Sequence, residues 1–95
     1  MFDMKACGGR IKELRESIDG LTQEKMAEQL NTSDSHLRKI ENGQRSASID
    51  LYIDIAQYFH VSLDYLLLGE ESVKAQIRAG LEDTIDRLRR IAAKL

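Results

Sequence analysis

Apolar positions recur at intervals of three and four residues along the whole chain, the period of helices that turn one face inward. Ile11, Leu14 and Ile18 stripe a first helix, which ends at Asp19-Gly20, where glycine supplies a left-handed terminal residue. Gly8 and Gly9 read as a flexible approach to it. Thr22 is placed to cap a second helix, Gln23 to Leu30, with Met26, Ala27 and Leu30 inward; Lys25 at the third position excludes a capping box. Ser33 caps a third helix to about Asn42, with Leu37 and Ile40 inward and Gly43 as its stop. Ser48 caps a fourth, carrying Leu51, Tyr52, Ile55, Ala56 and Phe59. Ser62 caps a fifth, Leu63 to Leu68, closed by Gly69. Glu70 to Leu95 reads as one long amphipathic helix.

The pattern predicts an all-α protein, and composition agrees: the 95 residues contain no proline and five aromatics, enough for a small aliphatic core. Length allows one domain. The longest apolar run, Leu66-Leu67-Leu68, is far short of the ~18 residues of a membrane span. No apolar secretory segment is visible in residues 1–10, and the single Cys7 permits no internal disulfide, so a reducing cytoplasm is expected.

Total charge decides little. Residues 1–70 carry 8 Lys and Arg against 12 Asp and Glu, net −4, whereas residues 71–95 carry 6 against 4, net +2. Phosphate binding needs a local basic face rather than a basic chain. No Ser/His/acid grouping, glycine-rich phosphate loop or HExxH occurs, so no enzyme is expected. Cys7, His36 and His60 are scattered, without the close pairs of zinc sites, so neither metal nor cofactor is expected.

Helices two and three are the informative pair, two short helices joined by a three-residue break, as in a helix-turn-helix unit. Leu21-Thr22-Gln23, Ile40-Glu41-Asn42-Gly43 and Val61-Ser62-Leu63-Asp64-Tyr65-Leu66-Leu67, at these separations, resemble the lambda repressor and Cro class of helix-turn-helix regulators over about residues 8–69. The resemblance implies a five-helix DNA-binding domain, taken here as residues 1–69; the additional C-terminal amphipathic helix, residues 70–95, lies beyond it. It also implies a cytoplasmic, dimeric, bacterial or phage repressor whose partner is double-stranded DNA. Three positions depart from the family pattern. Ala47 stands where proline is common, His60 where glycine is usual and positive φ is expected, and Asp34 where a neutral or basic residue is more frequent.

With Leu37 and Ile40 inward, the 100° helical step sets Asp34, Ser35, Arg38, Lys39 and Asn42 on the opposite face. Arg38 and Lys39 can donate to guanine O6 and N7; Asp34 can only accept, which suits a cytosine amino group; Ser35 can do either. Asp34, Ser35, Arg38 and Lys39 are thus candidate base contacts, with His36 a possible contact at the edge. The resemblance adds Gln23, Asn42, Gln44 and Arg45 as phosphate contacts and Arg15 with Glu41 as a pair tying helix one to helix three. Against this stands a plain solvated helix face held by an Asp34–Arg38 pair worth ~0.2–0.5 kcal/mol.

In the tail, Ile77, Leu81, Thr84, Leu88, Ile91 and Leu95 are spaced 4, 3, 4, 3 and 4, a heptad seam with Ile85 beside it. Gly80 weakens that helix by ~1 kcal/mol. Two dispositions stay open: pairing between chains through Ile77, Leu81, Leu88, Ile91 and Leu95, or folding back on helices four and five, with docking near Val73.

Two functions follow. The first is a homodimeric, sequence-specific transcriptional repressor. With no sensor after the tail, its control would come from expression level, proteolysis or a regulatory protein partner. The second is a protein-interaction module or antitoxin-like regulator of the same fold, favoured by the acidic core and Asp34.

Overall fold

The computed structural model describes residues 1–70 and 73–95, with side chains for 1–70 and 80–95. Among the described residues six helices follow in order: α1 Met4–Glu16, α2 Gln23–Gln29, α3 Asp34–Glu41, α4 Ile49–Phe59, α5 Leu63–Leu68 and α6 Val73–Ala92. No strand occurs among the described residues, as the spacing predicts.

Each short helix begins on a side chain that satisfies the otherwise unpaired amides of its first turn. Thr22, Ser33, Ser48 and Ser62 accept from the amides of Lys25, His36, Leu51 and Tyr65, respectively, and so open α2 to α5 at the expected residues. Asp3 does the same for α1, accepting from Lys5 and Ala6. α1 therefore starts at Met4, and Gly8 and Gly9 lie inside the helix rather than in a flexible approach to it. Two successive glycines weaken a helix locally, but packing overrides that here: Gly8 is buried, and a Cβ on it would stand 2.1 Å from the Ile40 carbonyl oxygen. Glycine is what lets α1 lie directly against α3.

The core is a cluster of Cys7, Ile11, Met26, Ala27, Leu37, Ile40, Tyr52, Ile55, Ala56 and Leu66, drawn from all of α1 to α5. Burying each large aliphatic among them contributes ~1.5–3 kcal/mol. Leu14, Leu21, Leu30, Leu51 and Phe59 pack around it, partly buried. Ile18, expected on the inward stripe of α1, is 44% exposed. The helix has ended by then: Ser17 caps it, and a turn with Ile18 N–H donating to the Arg15 carbonyl carries Ile18 off the stripe.

Two helices end on a residue other than glycine in the left-handed region. After α4, His60 has φ 56°, while the amides of His60 and Val61 donate to the carbonyls of Gln57 and Ala56. The positive φ expected at His60 is present. After α2, Asn31 has φ 55°, and the amides of Asn31 and Thr32 donate to Glu28 and Ala27. Both are the Schellman arrangement, which closes the last carbonyls of a helix and turns the chain sharply. At Asn31 it sets the angle between α2 and α3.

Arg10 ties the far side together. Its Nε and Nη2 donate to the carbonyls of Leu66 and Leu67, both at 3.0 Å, so an α1 guanidinium closes the C-terminal end of α5. No helix among the described residues is long and apolar enough to cross a membrane.

Candidate nucleic-acid interface

The alternation along α3 sorts its side chains into two groups. Leu37 and Ile40 are 0% and 1% exposed and anchor the helix in the core. Asp34, Ser35, Arg38, Lys39 and Asn42 are exposed together on the other side, and His36 is half-buried at the edge. The proposed base-contact residues thus share one uncovered face of a helix whose opposite face is fixed.

Asp34 and Arg38 do not pair. Among the described residues the side-chain ion pairs are Arg15–Glu41 and Asp83–Arg87. One carboxylate oxygen of Asp34 accepts the amide of Ser35 at 2.9 Å, which holds the acid at the start of α3. Arg38 and Lys39 remain directed to solvent.

α3 ends on Asn42 and then on Gly43 at φ 74°. A Cβ at Gly43 would lie 2.7 Å from the Lys5 Cα, so the turn is pressed against the start of α1. Gly43 donates to the Ile40 carbonyl, and Gln44 and Arg45 both donate to that of Lys39. The amides of Gln44 and Arg45 are therefore engaged, and the exposed side chains of Asn42, Gln44 and Arg45 are what this turn offers beyond the helix.

Beneath the face lies a buried carboxylate. Glu41 has a fully covered side chain and receives three donors: Arg15 Nε at 2.9 Å, Arg15 Nη2 at 3.1 Å and Gln23 Nε2 at 2.9 Å. Arg15 Nη1 also donates to the Leu21 carbonyl. The hydrogen bond to Glu41 is the main cause that raises the Arg15 pKa above its ordinary value, outweighing the cost of burial. The expected tie between the first and third helices is present. It also takes in Gln23, which the resemblance had marked for phosphate: one amide N–H of Gln23 is turned inward to Glu41, so its structural share was missed. The two patterns that could have shown it, Gln23 at the first position of α2 and Glu41 at the last of α3, are distant in sequence and make sense only once both helices are placed.

Burial pushes the Cys7 thiol up from its ordinary value, with Arg10 and the Tyr52 hydroxyl pulling partly back. Burial likewise raises Tyr52. Both are core groups on the far side of α3. No cluster of metal-ligating side chains occurs among the described residues.

The tail is exposed wherever its side chains are described, residues 80–95. Leu81, Ile85, Leu88 and Ile91 are 59%, 46%, 60% and 59% exposed, and Leu95 is fully so. The side chain of Ile77, and the expected docking near Val73, lie outside the described residues.

A short helix, a tight turn and a second helix that presents a polar face define a helix-turn-helix protein. A helix-turn-helix family model matches residues 11–66, more than half of the chain, and the chain belongs to that family in its lambda repressor and Cro form. It is 34% identical over 79 residues to the HTH-type transcriptional regulator ImmR of Bacillus subtilis (strain 168), covering 83% of this chain and 61% of that protein. It is 36% identical over 64 residues to the HTH-type transcriptional activator BcrR of Enterococcus faecalis, covering 67% and 31%. The chain therefore spans less than two thirds of the length of these relatives. Among solved structures it is similar to the restriction-modification controller protein C.AhdI from Aeromonas hydrophila, with a TM-score of 0.60 and 29% identity over 68% of this chain and 93% of that one.

Proposed function

We propose that the chain is a sequence-specific DNA-binding transcriptional regulator of the cytoplasm, acting as a homodimeric repressor without enzymatic chemistry of its own. The observation that carries this reading is the α3 face: Asp34, Ser35, Arg38 and Lys39 stand uncovered on one side of a helix whose other side is locked in the core. Such a rod fits a major groove, with Arg38 and Lys39 donating to guanine and Asp34 accepting from cytosine. His36 touches the groove edge. Gln23 on one side and Asn42, Gln44 and Arg45 on the other hold phosphates, fixing register while the α3 residues choose sequence. Residues 1–69 form the DNA-binding unit and 70–95 the pairing unit. Relatives named as transcriptional regulators support the reading; one is named an activator, so the sign of regulation rests on the resemblance alone.

Binding to random duplex DNA as a function of salt, followed by selection of preferred sequences, tests it. Affinity is expected to fall steeply with ionic strength. Arg45→Ala weakens all sequences and flattens the salt slope by about one charge, whereas Lys39→Ala costs ~1–3 kcal/mol and relaxes one base position. The second reading, a protein-binding module of the same fold, is favoured by the net −4 of residues 1–70 and the uncovered Asp34. Absence of duplex binding at low salt selects it.

A further inference from the structure

The turn after α3 does not stand alone at its end of the molecule. Gly43, at φ 74°, lies so close to the first turn of α1 that a Cβ on it would stand 2.7 Å from Lys5 Cα, 2.9 Å from Lys5 Cβ and 3.1 Å from Lys5 Cγ. A side chain at position 43 would have to displace the α1 backbone. The stem of Lys5 therefore runs alongside the Asn42–Arg45 turn, although the two segments are far apart in the chain. The same turn is tied back to α3, since the amides of Gln44 and Arg45 both donate to the Lys39 carbonyl. One backbone junction thus gathers three exposed cations: Lys39, Arg45 and Lys5.

Lys5 is fixed from its other side as well. Asp3 accepts from the amides of Lys5 and Ala6 and so sets where α1 begins, which keeps the first turn, and Lys5 on it, from fraying. Lys5 forms no ion pair among the described residues. The acids two residues before Lys5 and two before Gly43 are otherwise engaged: Asp3 by the two amides, and Glu41, buried, by Arg15 and Gln23. The ammonium is left without a carboxylate to neutralise it.

We propose that Lys5 is a further phosphate contact of the DNA-binding face, holding a backbone phosphate next to the one that Arg45 holds. This deepens the DNA reading above and rests on it. An ammonium on a flexible four-carbon stem is a point charge that needs no set angle, which suits a phosphate and carries no base preference. The apolar stem lies along Gly43 while the charge reaches past the turn. Lys5 therefore contributes to affinity and register rather than to the choice of sequence. It brings α1 onto the DNA backbone at the end of α3 where Asn42, Gln44 and Arg45 meet it, so that end of the rod is clamped from two elements instead of one.

A salt titration of duplex binding by Lys5→Ala in the full chain tests it. The variant is expected to bind selected and random duplexes about fourfold or more weakly at 50 mM salt, by the same factor for both, and the deficit should narrow roughly 3.5-fold by 200 mM, the loss of one released counterion. Lys5→Arg keeps the charge and should keep both affinity and slope. Lys94→Ala removes an equal charge from the exposed tail and should leave both unchanged. Circular dichroism should show all three variants as helical as the wild type, because both lysines are exposed. Duplexes neutralised at one phosphate at a time by methylphosphonate then locate the contact. One position should weaken the wild type and not Lys5→Ala, and its neighbour on the same strand should behave so for Arg45→Ala. A Lys5→Ala protein that matches the wild type in affinity and slope, an equal deficit in Lys94→Ala, or the absence of any phosphate whose neutralisation Lys5→Ala ignores each overturns the proposal and leaves the DNA reading standing. Contacts of Lys5 and Arg45 on different strands overturn it likewise. A wild type that binds no duplex at low salt brings down the DNA reading and this one with it.

Discussion

Arg15 on α1 and Glu41 at the end of α3 meet through two parallel hydrogen bonds of 2.9 and 3.1 Å, across 26 residues of sequence. Among the described residues Glu41 is the one buried charged residue, and it is the last residue of α3, directly before the Asn42–Arg45 turn. The pair therefore holds the polar face of α3 at a set angle to the rest of the domain. Truncating one partner leaves the other charge buried. Arg15→Ala is expected to cost ~3–5 kcal/mol in urea unfolding, partly offset by Gln23, whereas Arg15→Met with Glu41→Leu costs far less. A double-variant loss equal to the sum of the single losses from Arg15→Met and Glu41→Leu would show that the pair contributes nothing as a pair.

Gly8 and Gly9 are neighbours with opposite expectations. A methyl on Gly8 meets the Ile40 carbonyl at 2.1 Å, backbone against backbone, whereas one on Gly9 meets nothing within 4 Å. Gly8→Ala should destabilise by ~1–3 kcal/mol or more and push α3 outward. Gly9→Ala should stabilise by ~0.5–1 kcal/mol, because the residue sits in a helix interior. Thermal unfolding of the two variants side by side decides it.

Cys7 and Tyr52 both hold their protons more tightly when folded, chiefly because burial disfavours their anions. The unfolded chain ionises them near their ordinary values of 9.0 and 10.0. Their contribution is then complete below about pH 9 and lost as pH rises through the folded values. Stability should be level from pH 7 to 8.5 and decline steadily above pH 9, with a shallower decline in Cys7→Ala. A profile that rises with pH would contradict it. The same burial predicts that Cys7 resists alkylation until the protein unfolds.

Much of this was legible in the residues. Thr22, Ser33, Ser48 and Ser62 each announce a helix start through local chemistry, and each helix opens there. The 3.6-residue period marked Leu37 and Ile40 as inward and so identified the polar face of α3. His60 was readable as a positive-φ position because the family pattern has glycine there. What stayed hidden was contact between distant elements. Gly8 looks like a helix breaker until α3 lies across it, Arg10 like a surface charge until the last carbonyls of α5 come within 3.0 Å, and Gln23 like a phosphate ligand until Glu41 is beneath it. Ile18 failed for a local reason: its spacing continues the stripe, but the helix stops two residues earlier.

The most direct measurement is a titration of the ¹⁵N-labelled protein with its selected duplex, followed amide by amide. The account predicts shifts concentrated at Asp34, Ser35, Arg38 and Lys39 and at Asn42, Gln44 and Arg45, with α6 and the outer side of α4 unmoved. Shifts confined to α6 or α4, with α3 silent at saturating duplex, would contradict it.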